Sequence, residues 1–188
     1  MMRTGGRIAA ITVVVLLASS CGGDPAVNSG PLGDGGSPGG ICVHIRPGQV
    51  ESWGLTELVN TGHSNAVIET TRLDSAQHLR IVDAYVVPIA GSQEYGSWFG
   101  YPPAPYQRGV EWARHTWAKG ARVPPRSGSK HADLLVVLQP TGPVAKAQGI
   151  TVLYRDGGTQ YELRTHYRFV LLVAKKTCPI GWPAKYPA

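Results

Sequence analysis

The side chains best equipped for chemistry in this sequence are six histidines and three cysteines, and their spacing limits what they can do locally. His44, His63, His78, His115, His131 and His166 form no His-x-His or His-x-x-x-His pair, and no run of carboxylates flanks them. Zinc ligands usually sit at short local spacings, so a metal or small-ligand site here has to be gathered from several strands. Otherwise each histidine is expected as a surface or hydrogen-bonded residue. Cys42-Val43-His44 brings a thiol and an imidazole close in sequence, but side chains two apart on a strand need not be oriented for catalysis. A blue-copper site needs two His, one Cys and usually an axial Met. The only methionines are Met1 and Met2, and Cys178 is followed by Pro-Ile-Gly-Trp with no histidine close behind. There is no Gly-x-Ser-x-Gly elbow and no glycine loop leading into Gly-Lys-Ser/Thr. Carboxylates such as Glu94, Glu111 and Asp133 pair for glycoside hydrolysis only at arbitrary distances. With no catalytic signature, no cofactor and no local metal motif, the expectation is a non-enzymatic protein, with an unrecognised hydrolase the least favoured alternative.

One stretch has the chemistry of recognition. Glu94 to Tyr106 places five aromatics (Tyr95, Trp98, Phe99, Tyr101, Tyr106) among glycines and prolines, and Trp112 and Trp117 follow. Aromatic side chains in loops offer large contact area with little entropy to lose. Arg108, Arg114, Lys119, Arg122, Arg126 and Lys130 add positive charge downstream. Trp98, Phe99, Tyr101 and Tyr106 are the candidate partner-binding residues. The alternative is that this long connection folds over an edge of the domain and buries its aromatics as a satellite core.

The elements that must position these residues read as strands. From Ile41, segments rich in Val, Ile, Leu, Thr and aromatics alternate with Gly, Pro, Asn and Asp punctuation. Strands are predicted near 42–45, 51–60, 66–73, 79–89, 134–139, 150–155 and 160–174, with a turn at Asn60-Thr61-Gly62-His63. The 79–89 stretch is apolar on both faces, Leu79, Ile81, Tyr85 and Val87 against Val82, Ala84 and Val86, as in a central strand covered on both sides. From Tyr161 the apolar positions alternate strictly with Glu162, Arg164, His166 and Arg168. With Gly157-Gly158 as a two-residue loop, Tyr154 opposes Tyr161 and Val152 opposes Leu163, all on the apolar face. Helical signal is scarce. Residues 109–119 suit one short turn, and 91–129 is expected as a long, partly irregular connection.

The N-terminus supplies an address. Arg3 and Arg7 precede the apolar run Ile8 to Ala18, which falls short of the ~20 residues a spanning helix needs, and small residues follow, as in a cleaved secretory signal. Leu17-Ala18-Ser19-Ser20-Cys21 resembles a bacterial lipobox, which implies acylation of Cys21, while the separated arginines do not suit a twin-arginine signal. An ordinary signal peptide with an incidental cysteine is the alternative. If Cys21 carries lipid, Cys42 and Cys178 remain as an even pair in an oxidising compartment. A bridge closing so long a loop is worth ~4–5 kcal/mol in the chain-entropy picture; two free thiols are the alternative. Residues 22–40, GGDPAVNSGPLGDGGSPGG, hold almost no large apolar side chain and read as a flexible tether. The chain of 188 residues carries 18 Lys+Arg and 12 Asp+Glu. Without Arg3 and Arg7 the balance is 16 against 12, or +4, mild enough to favour anionic headgroups or wall polymers but far from a nucleic-acid footprint.

Together the lipobox-like end at Cys21, the Gly/Pro tether, Asn60-Thr61-Gly62 followed by Val67 to Leu73, Ala84-Tyr85-Val86-Val87-Pro88-Ile89 and the Tyr154-Arg155-Asp156-Gly157-Gly158 hairpin resemble actinobacterial secreted lipoproteins with an immunoglobulin-like β-sandwich. The resemblance covers most of the chain from Ile41 and implies a fold but no functional residues. The expected organisation is a signal peptide over 1–20, a tether over 21–40 and an all-β, immunoglobulin-like sandwich over 41–188. The expected role is a lipid-anchored envelope module on the extracytoplasmic face of the cell membrane, binding another envelope protein or a wall polymer and no nucleic acid. The alternative is a small-ligand or metal-binding envelope protein using histidines from several strands.

Overall fold

The computed structural model describes residues 26–35, 39–90, 96–101, 112–127, 130–173 and 177–178. Along the chain the strands are β1 (Ala26–Val27), β2 (Leu32–Asp34), β3 (Gly39–Ile45), β4 (Glu51–Asn60), β5 (Ala66–Asp74), β6 (Leu79–Ala90) and β7 (Gly96–Phe99). After one 3-10 turn (Trp112–Arg114) come β8 (Thr116–Trp117), β9 (Arg122–Val123), β10 (Lys130–Pro140), β11 (Val144–Ala147), β12 (Gly149–Asp156), β13 (Thr159–Arg164) and β14 (Tyr167–Val173). The fold is all-β. Among the described residues no helix is long and apolar enough to cross a membrane.

Three sheets form. One has the order β1-β13-β12-β5-β9, the second β2-β4-β10-β6-β8 with β7 also on β4, and the third β11-β14-β3. Pairing is antiparallel except β1 with β13 and β3 with β14. The inward side chains of all three meet in one cluster, including Trp53, Leu58, Ile68, Leu134, Val136, Ile150, Val152, Tyr154, Phe169 and Leu171. Trp53 of the second sheet packs on β14, 4.2 Å from Tyr167 and 5.3 Å and edge-on to Phe169 between ring centroids. Each such large side chain contributes about 1.5–3 kcal/mol of burial. The Cys42–Cys178 disulfide, with Cα atoms 5.9 Å apart, ties β3 to the segment after β14.

The hairpin register agrees with the sequence pattern: Tyr154 pairs with Tyr161 and Val152 with Leu163 across Gly157-Gly158. Gly157 has φ 60°, the conformation that the first position of such a tight loop demands of glycine. The second face of β6 and β10 is also covered. Tyr85, Val87, Ile89, Leu135 and Val137 pack there with Trp112, and Tyr101 and Val50 lie at the margin.

Three local expectations are corrected. The single strand predicted over 160–174 is two strands in different sheets. The chain turns a corner at Thr165-His166, where buried Thr165 donates its N–H to Ile150 O (2.9 Å) and accepts the Ile150 N–H on Oγ1 (3.0 Å). The faces assigned to 79–89 also change. The register slips opposite Val137/Leu138, skipping Val82, so Leu79 and Ile81 join Ala84 and Val86 against the main core while Tyr85 and Val87 face the second cluster. Finally, the tether predicted over 21–40 is partly folded. Leu32 is 1% exposed, and its N–H donates to Tyr154 Oη (3.1 Å). Asn28, at φ 49°, accepts the Arg164 N–H on Oδ1 (2.7 Å) and takes its own amide bond to Glu162 O (2.7 Å).

Candidate functional site

The site is built by the segment that follows the 3-10 turn. Thr116 and Trp117 pair antiparallel with Val86 and Tyr85 at the edge of the second sheet, and Ala118 N–H donates to Ala84 O (2.9 Å). The chain then reverses through Gly120, whose φ of 86° is costly for any other residue. Gly120 N–H donates to Ile68 O (2.8 Å) and Ile68 N–H to Ala121 O (2.9 Å), after which Arg122 and Val123 pair with Val67 and Ala66 of the first sheet. Residues 116–123 are therefore a strap across one side of the domain, from the β6 edge to the β5 edge. Its small residues Ala118 and Ala121, with Val123, point into the core, which leaves Arg122 outside. Beyond the strap, Asn60 pins the chain by donating from Nδ2 to Val123 O (2.8 Å) and accepting Arg126 N–H on its backbone carbonyl (2.8 Å).

Between strap and sheet lies a groove of about 800 Å³. Its floor is apolar, with Val86, Ile89 and Ala132 from β6 and β10, and Pro88, Pro124 and Pro125 flank it. Its polar lining comes from Arg114, Arg122, Thr116, Ser127 and His131, and no carboxylate is among the lining residues. Arg114 and Arg122 are exposed, and neither takes part in an ion pair among the described residues. Arg72 and Arg164, by contrast, both pair with the buried Glu162, and Arg155 pairs with Glu69.

At the end of β10, His131 stands between two acids, Nδ1 3.7 Å from Glu57 Oε1 and Nε2 3.6 Å from Asp133 Oδ1, with Asp133 fully buried. Among the described residues no group of three or more His, Cys, Asp or Glu is arranged to hold a metal ion. His44, His63, His78 and His166 are exposed on separate elements, so the histidines do not gather. The Ser127 hydroxyl makes no hydrogen bond to His131 among the described residues. The groove is thus equipped to bind, with cations over an apolar floor, and no nucleophile is hydrogen-bonded to a base there among the described residues.

The aromatic candidates fare differently from one another. Trp98 and Phe99 lie on β7, where their backbones pair with Ser52 and Glu51. Tyr106 and the predicted lipidation site Cys21 lie outside the described residues. Tyr101 takes the satellite-core alternative, stacked on Tyr85 at 5.4 Å and 11° and edge-on to Trp112 at 6.3 Å. Burial, and then the hydrogen bond with Tyr101, push the Tyr85 phenol well above the ordinary tyrosine range. Trp112 stacks on His115 at 4.1 Å, and His115 Nδ1 lies 2.6 Å from Trp112 O. Among the described aromatic side chains of this stretch Trp117 alone is widely open, 62% exposed, its ring resting on Tyr85 at 4.7 Å. The basic stretch downstream of the aromatics carried the signal for the groove, since Arg114 and Arg122 came from it. Nothing local marked the residues that face them, Val86, Ile89, His131 and Ala132.

No protein-family model matches the chain, and comparison with curated proteins and with solved structures likewise yields no match.

Proposed function

We propose that this chain is a lipid-anchored, extracytoplasmic binding module of the cell envelope, an immunoglobulin-like β-sandwich that takes its ligand in the groove beside the 116–123 strap. The observation that carries the reading is the groove itself: about 800 Å³, inside the range of small-molecule sites, with two guanidiniums that have no ion-pair partner among the described residues, over apolar walls. Three sheets, antiparallel apart from the β1–β13 and β3–β14 pairs, share one core, which supports the sandwich assignment. The Cys42–Cys178 bridge supports an oxidising compartment and leaves Cys21 as the cysteine for acylation. The groove favours a small ligand over a flat protein partner. It also moves the recognition face away from Tyr101, whose ring is committed to packing. A histidine-built metal site has no comparable support.

The test uses the full chain in its own membranes, with a benzophenone amino acid replacing Ser127 on the groove rim or Thr159 on the far hairpin, both exposed. Irradiation is expected to give adducts at position 127 and none at 159. The chain is expected in the membrane fraction, released by Cys21→Ser. Equal adduct yields at the two positions would refute the groove as the binding face, and a membrane fraction unchanged by Cys21→Ser would refute the anchor.

A further inference from the structure

We propose that the groove takes a single-chain amphipathic anion, its apolar chain lying on Val86, Ile89 and Ala132 and its carboxylate or phosphate head held by Arg114 and Arg122. The proposal rests on the reading of the groove as a binding site and names what enters it. The two halves of the lining select two halves of one molecule. The floor offers hydrocarbon contact and only small or aliphatic side chains, so a free inorganic anion would leave it wet and unused. The rim offers two guanidiniums, and no carboxylate is among the described lining residues; the nearest acids, Glu57 and Asp133, stand behind His131, so the rim favours an anionic head over a cationic one. A neutral one forgoes the charge-assisted hydrogen bonds a guanidinium fork makes with an oxyanion.

The cations are also placed to act together. Arg114 closes the 3-10 turn before the strap begins, and Arg122 lies where the strap lands on the first sheet. They therefore reach one groove from its two ends of the strap, which is itself held by paired backbone at β8 and β9. Three arginines elsewhere are held by this chain's own carboxylates, Arg72 and Arg164 by Glu162 and Arg155 by Glu69, and Arg80 is held by Gln139. Among the described residues neither Arg114 nor Arg122 has such a partner, and the complement is an oxyanion brought by the ligand. The volume accommodates a chain of ten or so carbons with its head, since sites of roughly 300–1,000 Å³ hold ligands of that size.

The experiment is calorimetric titration of the full chain in phosphatidylcholine nanodiscs, with empty nanodiscs as the blank. The probes are decanoate, decyl phosphate, decanol and inorganic phosphate. Decanoate or decyl phosphate is expected to bind at least about tenfold more tightly than decanol, and inorganic phosphate not to saturate. The Arg114→Gln/Arg122→Gln variant is expected to lose at least about tenfold in affinity for the anionic probe with decanol unchanged. Both positions are exposed, so the variant's fold is checked by an unaltered melting temperature. Preference for decanoate identifies a carboxylate head, and preference for decyl phosphate a lipid phosphate. Equal affinity for decanol and the anions, or an anion affinity untouched by the double variant, overturns the proposal. In that case adducts at position 127 would leave the binding-module reading standing, and their absence would remove both.

Discussion

Replacing Cys42 and Cys178 together by alanine removes a covalent tie whose weight follows from where it sits. The two residues are 136 apart in sequence, so the unfolded cross-linked chain is one very large loop. The chain-entropy relation for a loop of that size gives about 5 kcal/mol at 25 °C, against a total stability of about 5–15 kcal/mol for an ordinary domain. The native geometry keeps most of this, because Cys42 lies within β3, whose parallel pairing with β14 already brings the two ends together. Urea unfolding of the Cys42→Ala/Cys178→Ala variant is expected to show a loss of about 3–5 kcal/mol, and its melting temperature to drop by about 10–20 °C. The same shift is expected for the unaltered chain under a thiol reductant. Amide exchange is expected to rise first over β3, whose one hydrogen-bonded neighbour among the described strands is β14. A loss below about 1 kcal/mol, or two alkylatable thiols at these positions in the native protein, would refute the reasoning.

Two further outcomes test the corner and the surface charges. A Cβ on Gly149 would stand 2.3 Å from Thr165 O, whereas one on Gly158 would meet nothing within 4 Å. Gly149→Ala is therefore expected to cost about 1–3 kcal/mol and Gly158→Ala to change stability by no more than about 1 kcal/mol, as read by denaturant melts. Hydrogen bonds from Gln160 and then Arg155 hold the Glu69 carboxyl below its ordinary value of 4.5. Its contribution is fully present above the unfolded value and is lost as pH falls through the lowered folded one. A carboxyl titration by NMR is expected to place Glu69 below 4.5 and to move it upward in Gln160→Ala.

How far the fold was legible depended on whether the deciding contacts were local. The 154–161 hairpin could be read because alternation and the Gly157-Gly158 loop point to the same register. The disulfide could be read from parity alone. The corner at Thr165 could not, because its alternation continues in phase through the break, Leu163 and Thr165 both buried before Phe169. What ends the strand is a hydroxyl reaching Ile150 N–H from another strand. The same holds for β1 and β2: a Gly/Pro/Asn-rich sequence gives no strand pattern, and they are held by the Asn28 side chain and the buried Tyr154 hydroxyl. The bulge at Val82 reassigns faces that strict alternation would fix. Of the candidate site, the cations were visible as a basic stretch. Their convergence was not, since it depends on the strap crossing from one sheet to the other.

The parallel pairing of β3 with β14 also sets an order of events in the life of the chain. Synthesis runs from the N-terminus, so β3 is made early and its partner is the last of the described strands. Cys42 then waits for Cys178 across 136 residues, about 7–27 s at ordinary elongation rates of about 5–20 residues per second. Through that interval Ile41, Val43 and Ile45, which end against the main core, have no β14 to lie on. The bridge can close only once Cys178 has been made and so follows the synthesis of β14. A chain truncated between Ile45 and Tyr167 keeps Cys42 and never acquires the strand that pairs with it.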